Sequence, residues 1–210
     1  MIRLLGNIPK IPFYVACSGG TDSMMLVDFL MRYPRNKFEI LHFNHGTEPC
    51  QVAEKFVKEF CKSHGLALHL GKISRDRQPN ESQEEYWRKE RYNFLGKFSN
   101  KPILMSHHLN DCIETWIMTS LHGQPKLIPY CNPKYNIIRP LLATPKSAIN
   151  DWLERHHVEY VYDTSNSDTT LNRNRVRHCM MEHVYAINPG IEKTIKNKIL
   201  SEYKAQVIPA

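Results

Sequence analysis

No stretch of this 210-residue chain approaches the length and apolarity of a membrane span. Its opening residues, Met1 to Pro9, also lack the long apolar core of a secretory signal, so the expectation is a soluble, cytoplasmic protein. Its six cysteines (Cys17, Cys50, Cys61, Cys112, Cys131 and Cys179) form no Cys-x-x-Cys pair. That spacing argues against a zinc ribbon, an iron–sulfur site or a disulfide framework, and it reads most simply as reduced, mostly buried thiols. Neither an internal repeat nor a low-complexity tract is apparent, and the length suits one sizeable core with a small appended subdomain. No Gly-Lys-Ser/Thr sequence ends a glycine loop, which argues against kinase-type chemistry.

What the chain has in excess is positive charge, formally +7, together with eleven histidines. The sequence pI is about 9.1. Such a balance points to a polyanionic partner and says nothing of fold.

The chain is organised around Ser18-Gly19-Gly20-Thr21-Asp22-Ser23. An apolar run from Phe13 to Cys17 reads as a buried strand before it, and Met24 to Met31 reads as a helix after it. A helix start carries unpaired N–H groups and the positive end of the dipole, so a strand–glycine turn–helix unit makes an anion site. Gly19 and Gly20 allow close approach to a phosphate, and Ser18, Thr21 and Ser23 add hydroxyls. The plainer alternative is a capped serine–glycine turn.

Further strands are expected at 37–45, 66–70, 102–105 and 135–142, and helices at 52–64, 83–98, from the polar cluster at 106 through 121, and from Thr144-Pro145 to 156. Val52, Phe56, Val57 and Phe60 form the apolar face of the second helix. In the last case Thr144 is the cap and Pro145 the first helical residue. Alternating elements imply an α/β fold, a mostly parallel five-stranded sheet with helices on both faces, followed by a small C-terminal helical extension. The boundary is drawn between 1–145 and 146–210, and the tract 163–170 reads as a loop.

Ligands of open parallel sheets sit at the carboxyl ends of strands, and three polar clusters fall there. They are the glycine loop, Asn44-His45, and the cluster from His107 to Glu114. Asp111 and Glu114 share a helix face with His107 or His108 nearby; such carboxylates can hold magnesium, recognise an amine or take up a proton. Zinc is a further option from the same four residues, although nothing dictates a closed tetrahedral set. Arg173 and Arg177, four apart, can face one anion, with Arg175 pointing elsewhere. Arg88 and Arg91, interleaved with Trp87 and Tyr92, suit stacking on an unpaired base, the plainer reading being a solvated helix face.

Taken together, these residues resemble the catalytic domain of the tRNA(Ile)-lysidine synthetases, within the N-type ATP pyrophosphatase (PP-loop) superfamily. The resemblance runs from about Phe13 to Arg177. It rests on Ser18 to Ser23, Asn44-His45-Gly46, Arg88 with Arg91-Tyr92, Ser106 to Thr115, Arg139 to Leu142, Asp163 to Asn166, and Arg173 to Arg177. It implies the PP-loop ATPase fold (adenine nucleotide alpha hydrolase-like) and a carbon–nitrogen ligase. Such an enzyme uses ATP, with Mg2+, to adenylate C2 of the wobble cytidine of the CAU-anticodon tRNA(Ile), and the L-lysine ε-amine then displaces AMP.

By that resemblance Ser18, Gly19, Gly20, Thr21, Asp22, Ser23, His45, Arg88 and Arg173 bind ATP, and Asp22 holds magnesium or orders the loop. Asp111 and Glu114 bind lysine and, with Asp22, are catalytic; Arg91, Arg175 and Arg177 contact tRNA. Four places depart from the family pattern: Asn110 for a second aspartate, Cys112 for glutamine, His122 for arginine, and Thr47-Glu48 for Leu-Arg. Asn110 weakens a magnesium role there, since a neutral amide binds a hard cation less well. Without the family's C-terminal domains, tRNA is expected to be held by the catalytic domain, by a homodimer mate, or not well at all. The rivals are another PP-loop tRNA-modifying enzyme, such as a base thiolase, and a nucleotide- or RNA-binding module without catalysis.

Overall fold

The computed structural model describes residues 2–33, 35, 37–162 and 172–207. The tract 163–170, with its Asp163-Thr-Ser-Asn166 motif, lies outside the described residues.

The first half alternates strand and helix: β1 (Phe13–Ala16), α1 (Thr21–Met31), β2 (Phe38–Asn44), α2 (Glu48–Ser63), β3 (Leu68–Lys72) and α3 (Gln83–Gly96). Then come β4 (Ile103–Leu104), α4 (Leu109–Leu121), β5 (Cys131–Asn132), a 3-10 turn (Pro133–Tyr135), β6 (Ile137–Ile138) and α5 (Lys146–His156). The last part is helical: α6 (Asn172–Arg175), a π-type turn (Val176–Met180), α7 (Met181–Ile187) and α8 (Ile191–Val207).

The sheet runs β3-β2-β1-β4-β6-β5, and every neighbouring pair is parallel except β5 with β6. β1 is central, buried on both faces, which is why its sequence is continuously apolar. Chain order reverses there, since β2 and β3 extend to one side and β4, β6 and β5 to the other. A crevice therefore opens above the carboxyl ends of β1 and β4.

One core packs α1, α2 and α5 on the sheet through Met24, Leu26, Leu30, Val57, Ile149 and Leu153 against Phe13, Val15 and Ile40. Leu26 and Leu30 are fully buried, a contribution of about 1.5–3 kcal/mol each. On the opposite face Tyr92, Phe94 and Leu95 of α3 meet Tyr14, Leu41 and Ile103. A third cluster joins α4 to the C-terminal helices through Leu109, Ile113, Val176, Met181, Ile195 and Ile199.

Several expectations change. Six strands replace five, because Cys131–Asn132 pairs antiparallel to β6; two residues of low strand preference carry no readable alternation. The expected strand at 135–142 shrinks to Ile137–Ile138, flanked by turns. α2 starts at Glu48 because Pro49 fits its first turn, and Val52, expected on the apolar face, is 56% exposed. Pro145 is the cap of α5, not its first residue, and Thr144 Oγ1 donates instead to the Arg3 carbonyl at 3.0 Å.

Candidate active site

The glycine loop leaves β1 and enters α1 without a side-chain cap. Gly20 is the N-cap, in extended backbone, and among the described residues it makes no side-chain cap bond to the first-turn N–H groups. Those groups stay available to an anion. Gly19 has φ +87°, and a Cβ there would stand 3.2 Å from Val57 Cγ2 of α2, so both backbone angle and packing demand glycine. Ser23, 2% exposed, braces the turn: its hydroxyl donates to the Gly20 carbonyl at 3.0 Å and accepts from Ser18 N at 3.2 Å. The serine expected to touch phosphate thus also locks the loop. Val161 N donates to the Gly19 carbonyl at 2.9 Å, fastening the segment after α5 onto the loop.

A cavity of about 600 Å³ lies over this loop. Ser18, Gly20, Thr21, Asp22, Ser23, His45, Arg91, Asp111, Arg173 and Arg177 all line it, although they come from five separate parts of the chain. Gly19 is buried beneath it, and Glu114 stands behind Asp111, 3% exposed. Two expected site residues fall elsewhere. Arg88 packs over the Tyr92 ring at 4.7 Å and lines a second hollow of about 430 Å³, while Arg175 is on the exposed side of α6. His45 sits at the cavity edge, 5.5 Å from the Trp87 ring.

Asp22 does not stand alone. Lys146, from the first turn of α5, pairs with its carboxylate and donates to Thr21 Oγ1 at 2.7 Å. His108 Nε2 lies 3.6 Å from Asp22 Oδ1 and equally far from Asp111 Oδ2. Burial alone would raise the Asp22 pKa, but His108 and Lys146 outweigh it and hold the group below the ordinary carboxylate value.

Asp111 and Glu114 are met by both arginines. Arg173 donates Nη2 to Asp111 at 2.9 Å and Nε to Glu114 at 3.0 Å. Arg177 donates Nε and Nη2 to Glu114 at 2.7 and 2.9 Å. Asp111 also accepts from His108 N at 2.9 Å, bracing the start of α4. Desolvation pushes its pKa up, yet His108, Arg173 and His107 together bring it well below the ordinary range. Among the described residues no group of three or more His, Cys, Asp or Glu side chains is placed to hold a metal, so the zinc option does not stand.

Arg91 adds a cation that forms no ion pair among the described residues. Its Nε is buried without a partner, and desolvation, with Arg88, Arg173 and Arg139 nearby, depresses its pKa. Arg139 is 2% exposed and holds the Tyr92 hydroxyl at 3.1 Å and the Pro129 carbonyl at 2.8 Å. Cations gathered in a partly dry pocket favour a polyanionic ligand.

His107 lines the same cavity with Nδ1 sealed from solvent, and burial, with the neighbouring arginines, drives its pKa down to about 3. Acid therefore weakens the fold in two stages. An unfolded chain protonates His107 at the ordinary histidine value while the folded chain keeps it neutral, so stability falls as pH drops through that window. Asp111, depressed in the folded state, contributes stability above the ordinary carboxylate value that is lost as pH falls toward its native one. Urea titrations between about pH 7 and about pH 4 are expected to show declining stability, with His107→Gln removing the upper part of the slope. An unchanged slope in that variant would assign the upper stage to another group.

Lys146 was not among the candidate residues, while His107 and His108 were named only as neighbours of the carboxylates or zinc ligands and Arg139 only within a motif. A lysine in a first helical turn, against the helix dipole, was the one available signal for Lys146. Arg139-Pro140 carried no sign of burial.

Comparison with known families matches residues 2–184 to the PP-loop domain. Similar proteins include the tRNA(Ile)-lysidine synthases of Persephonella marina, 33% identical over 195 residues, covering 86% of this chain and 43% of that protein, and of Nitratidesulfovibrio vulgaris, 32% identical over 199 residues, covering 87% and 57%. The chain spans about half the length of such relatives. Among solved structures, the U34-tRNA thiolase NcsA from Methanococcus maripaludis superposes with TM-score 0.76 at 15% identity, covering 97% of this chain and 77% of that one. The NH3-dependent NAD synthetase of Campylobacter jejuni gives 0.53 at 12%, covering 97% and 90%. At those identities the likeness is one of fold.

Proposed function

The chain belongs to the PP-loop domain family, and we propose on that basis that it is an ATP-dependent tRNA-modifying ligase joining lysine to the wobble cytidine of tRNA(Ile). Relatives named tRNA(Ile)-lysidine synthase, at about a third identity over most of this chain, support that choice of reaction. The observation that carries it is the cavity itself: an uncapped helix start, an Arg91 whose Nε is buried without a partner, and Asp111, with Glu114 behind it, in one place.

The chemistry has two steps. The C2 oxygen of the cytidine attacks the α-phosphorus of ATP, the α–β bridge breaks, and pyrophosphate leaves. The lysine ε-amine then attacks C2, AMP departs with that oxygen, and the amine sheds its protons. The first-turn N–H groups of α1 and the Ser18 and Thr21 hydroxyls receive the charge that grows on the leaving pyrophosphate. Asp22 lines the cavity as a partly exposed carboxylate, a fit for an ion that binds one or two carboxylates plus substrate phosphates. Magnesium held there would neutralise charge on the departing pyrophosphate. Arg91 and Arg173 clamp phosphate oxygens, Arg177 and Arg175 meet the tRNA, and His45 borders the nucleoside.

Asp111 and Glu114 receive the ammonium of lysine, whose protons pass to solvent, since Asp111 is held below the ordinary carboxylate range. Both carboxylates accept from arginines, so the incoming ammonium shares or displaces a guanidinium. An RNA-binding module or a base thiolase would also have a basic cavity, but neither calls for an acidic pair to receive an amine. Incubation of tRNA(Ile) transcripts with the protein, ATP and labelled lysine, followed by nucleoside mass spectrometry, tests the reading. Lysine-labelled cytidine is expected only in the CAU transcript; sulfur incorporation, or ATP binding without any product, would replace it.

A further inference from the structure

We infer that Lys146 supplies the phosphate-binding ammonium that the glycine loop itself lacks, and that Asn110 is the residue that positions it. This deepens the reading of the cavity as an ATP pyrophosphatase centre and rests on it.

From Ser18 to Ser23 the loop holds hydroxyls, glycines and one carboxylate but no cation. Lys146 arrives from 124 residues away, donates to Thr21 Oγ1 at 2.7 Å and pairs with Asp22, lining the same cavity. An ammonium has three donors in a compact head on a flexible stem. Two are engaged here, which leaves one for a phosphate oxygen at the helix start. Its side chain is 31% exposed, so it has room to turn from Asp22 toward an anion.

The placement of Lys146 is costly in isolation. It lies in the first turn of α5, where the dipole repels a cation and no acidic residue offsets it. Pro145, the N-cap, offers no side-chain bond. Asn110 supplies the cap from α4: its Oδ1 accepts from Lys146 N at 2.8 Å, and its Nδ2 donates to the Tyr185 hydroxyl at 3.0 Å. Tyr185 in turn donates to Glu192 at 3.3 Å. An aspartate at 110 could cap α5 as well, but its charge would compete with Asp22 and with phosphate for the same ammonium. A neutral amide fixes the backbone of Lys146 and leaves its charge free for the cavity.

The test is calorimetric titration of the full chain with ATP, inorganic pyrophosphate and AMP, which separates contacts to the β- and γ-phosphates from contacts to the nucleoside. Lys146→Met is expected to weaken pyrophosphate and ATP about tenfold or more while AMP stays within about twofold. Lys146→Arg is expected to recover most of the loss, Asn110→Ala to lose about threefold, and the double variant to bind no worse than Lys146→Met alone. Unchanged pyrophosphate affinity in Lys146→Met overturns the inference, and so does an equal loss of AMP, which would mark a structural role. If the unsubstituted protein binds neither ATP nor pyrophosphate, the ATP reading fails with it.

Discussion

Asp22→Ala is expected to cut pyrophosphate release from ATP by about a thousandfold, the scale of losing a group that stabilises transition-state charge. The fold should survive. Asp22 pairs with Lys146, whose side chain is 31% exposed and can be hydrated when its partner is removed, and pairs of that exposure contribute about 1 kcal/mol or less. A change of no more than about 4 °C in thermal midpoint is expected. Turnover within a few-fold of the parent would take the loop out of the mechanism, whereas lost turnover with a collapsed midpoint would make Asp22 a structural residue.

The second large effect concerns Glu114. Its carboxylate, 3% exposed, accepts three bonds from Arg173 and Arg177. Glu114→Gln keeps the shape but replaces one acceptor oxygen by a donor aimed at a guanidinium. A loss of about 3 kcal/mol in urea denaturation is expected, the low end for breaking a buried pair, since both arginines keep about a third of their exposure. If the pair also receives the substrate amine, the lysine requirement should rise about tenfold or more with the ATP requirement within about twofold. Equal rises would confine Glu114 to holding the arginines.

The glycine loop was readable because everything it needs is contiguous: a buried strand, two glycines and an apolar helix within nineteen positions of Phe13 to Met31. Asp111 and Glu114 were readable for the same local reason, three apart on one helix. Their partners were less so. Arg173 and Arg177 were seen as an anion site, whereas they already hold carboxylates 59 to 66 residues distant. Helical spacing shows which side chains share a face but not what that face meets. Lys146 offered only its odd place in a first helical turn, because only the return of α5 across the sheet brings it to the loop. β5 was missed because a two-residue antiparallel strand has no period to detect.

β1 and β4 lie side by side but share only two register pairs, Tyr14 with Ile103 and Val15 with Leu104. The glycine loop departs from one and the His107–Glu114 segment from the other, so the cavity has an anion-seeking wall and a cation-seeking wall grown from different strands. His108, within 3.6 Å of a carboxylate on each, bridges them. Occupancy of one wall therefore alters the field at the other, and linkage requires the influence to be mutual: the proposed nucleotide and amine would change each other's binding constant by the same factor.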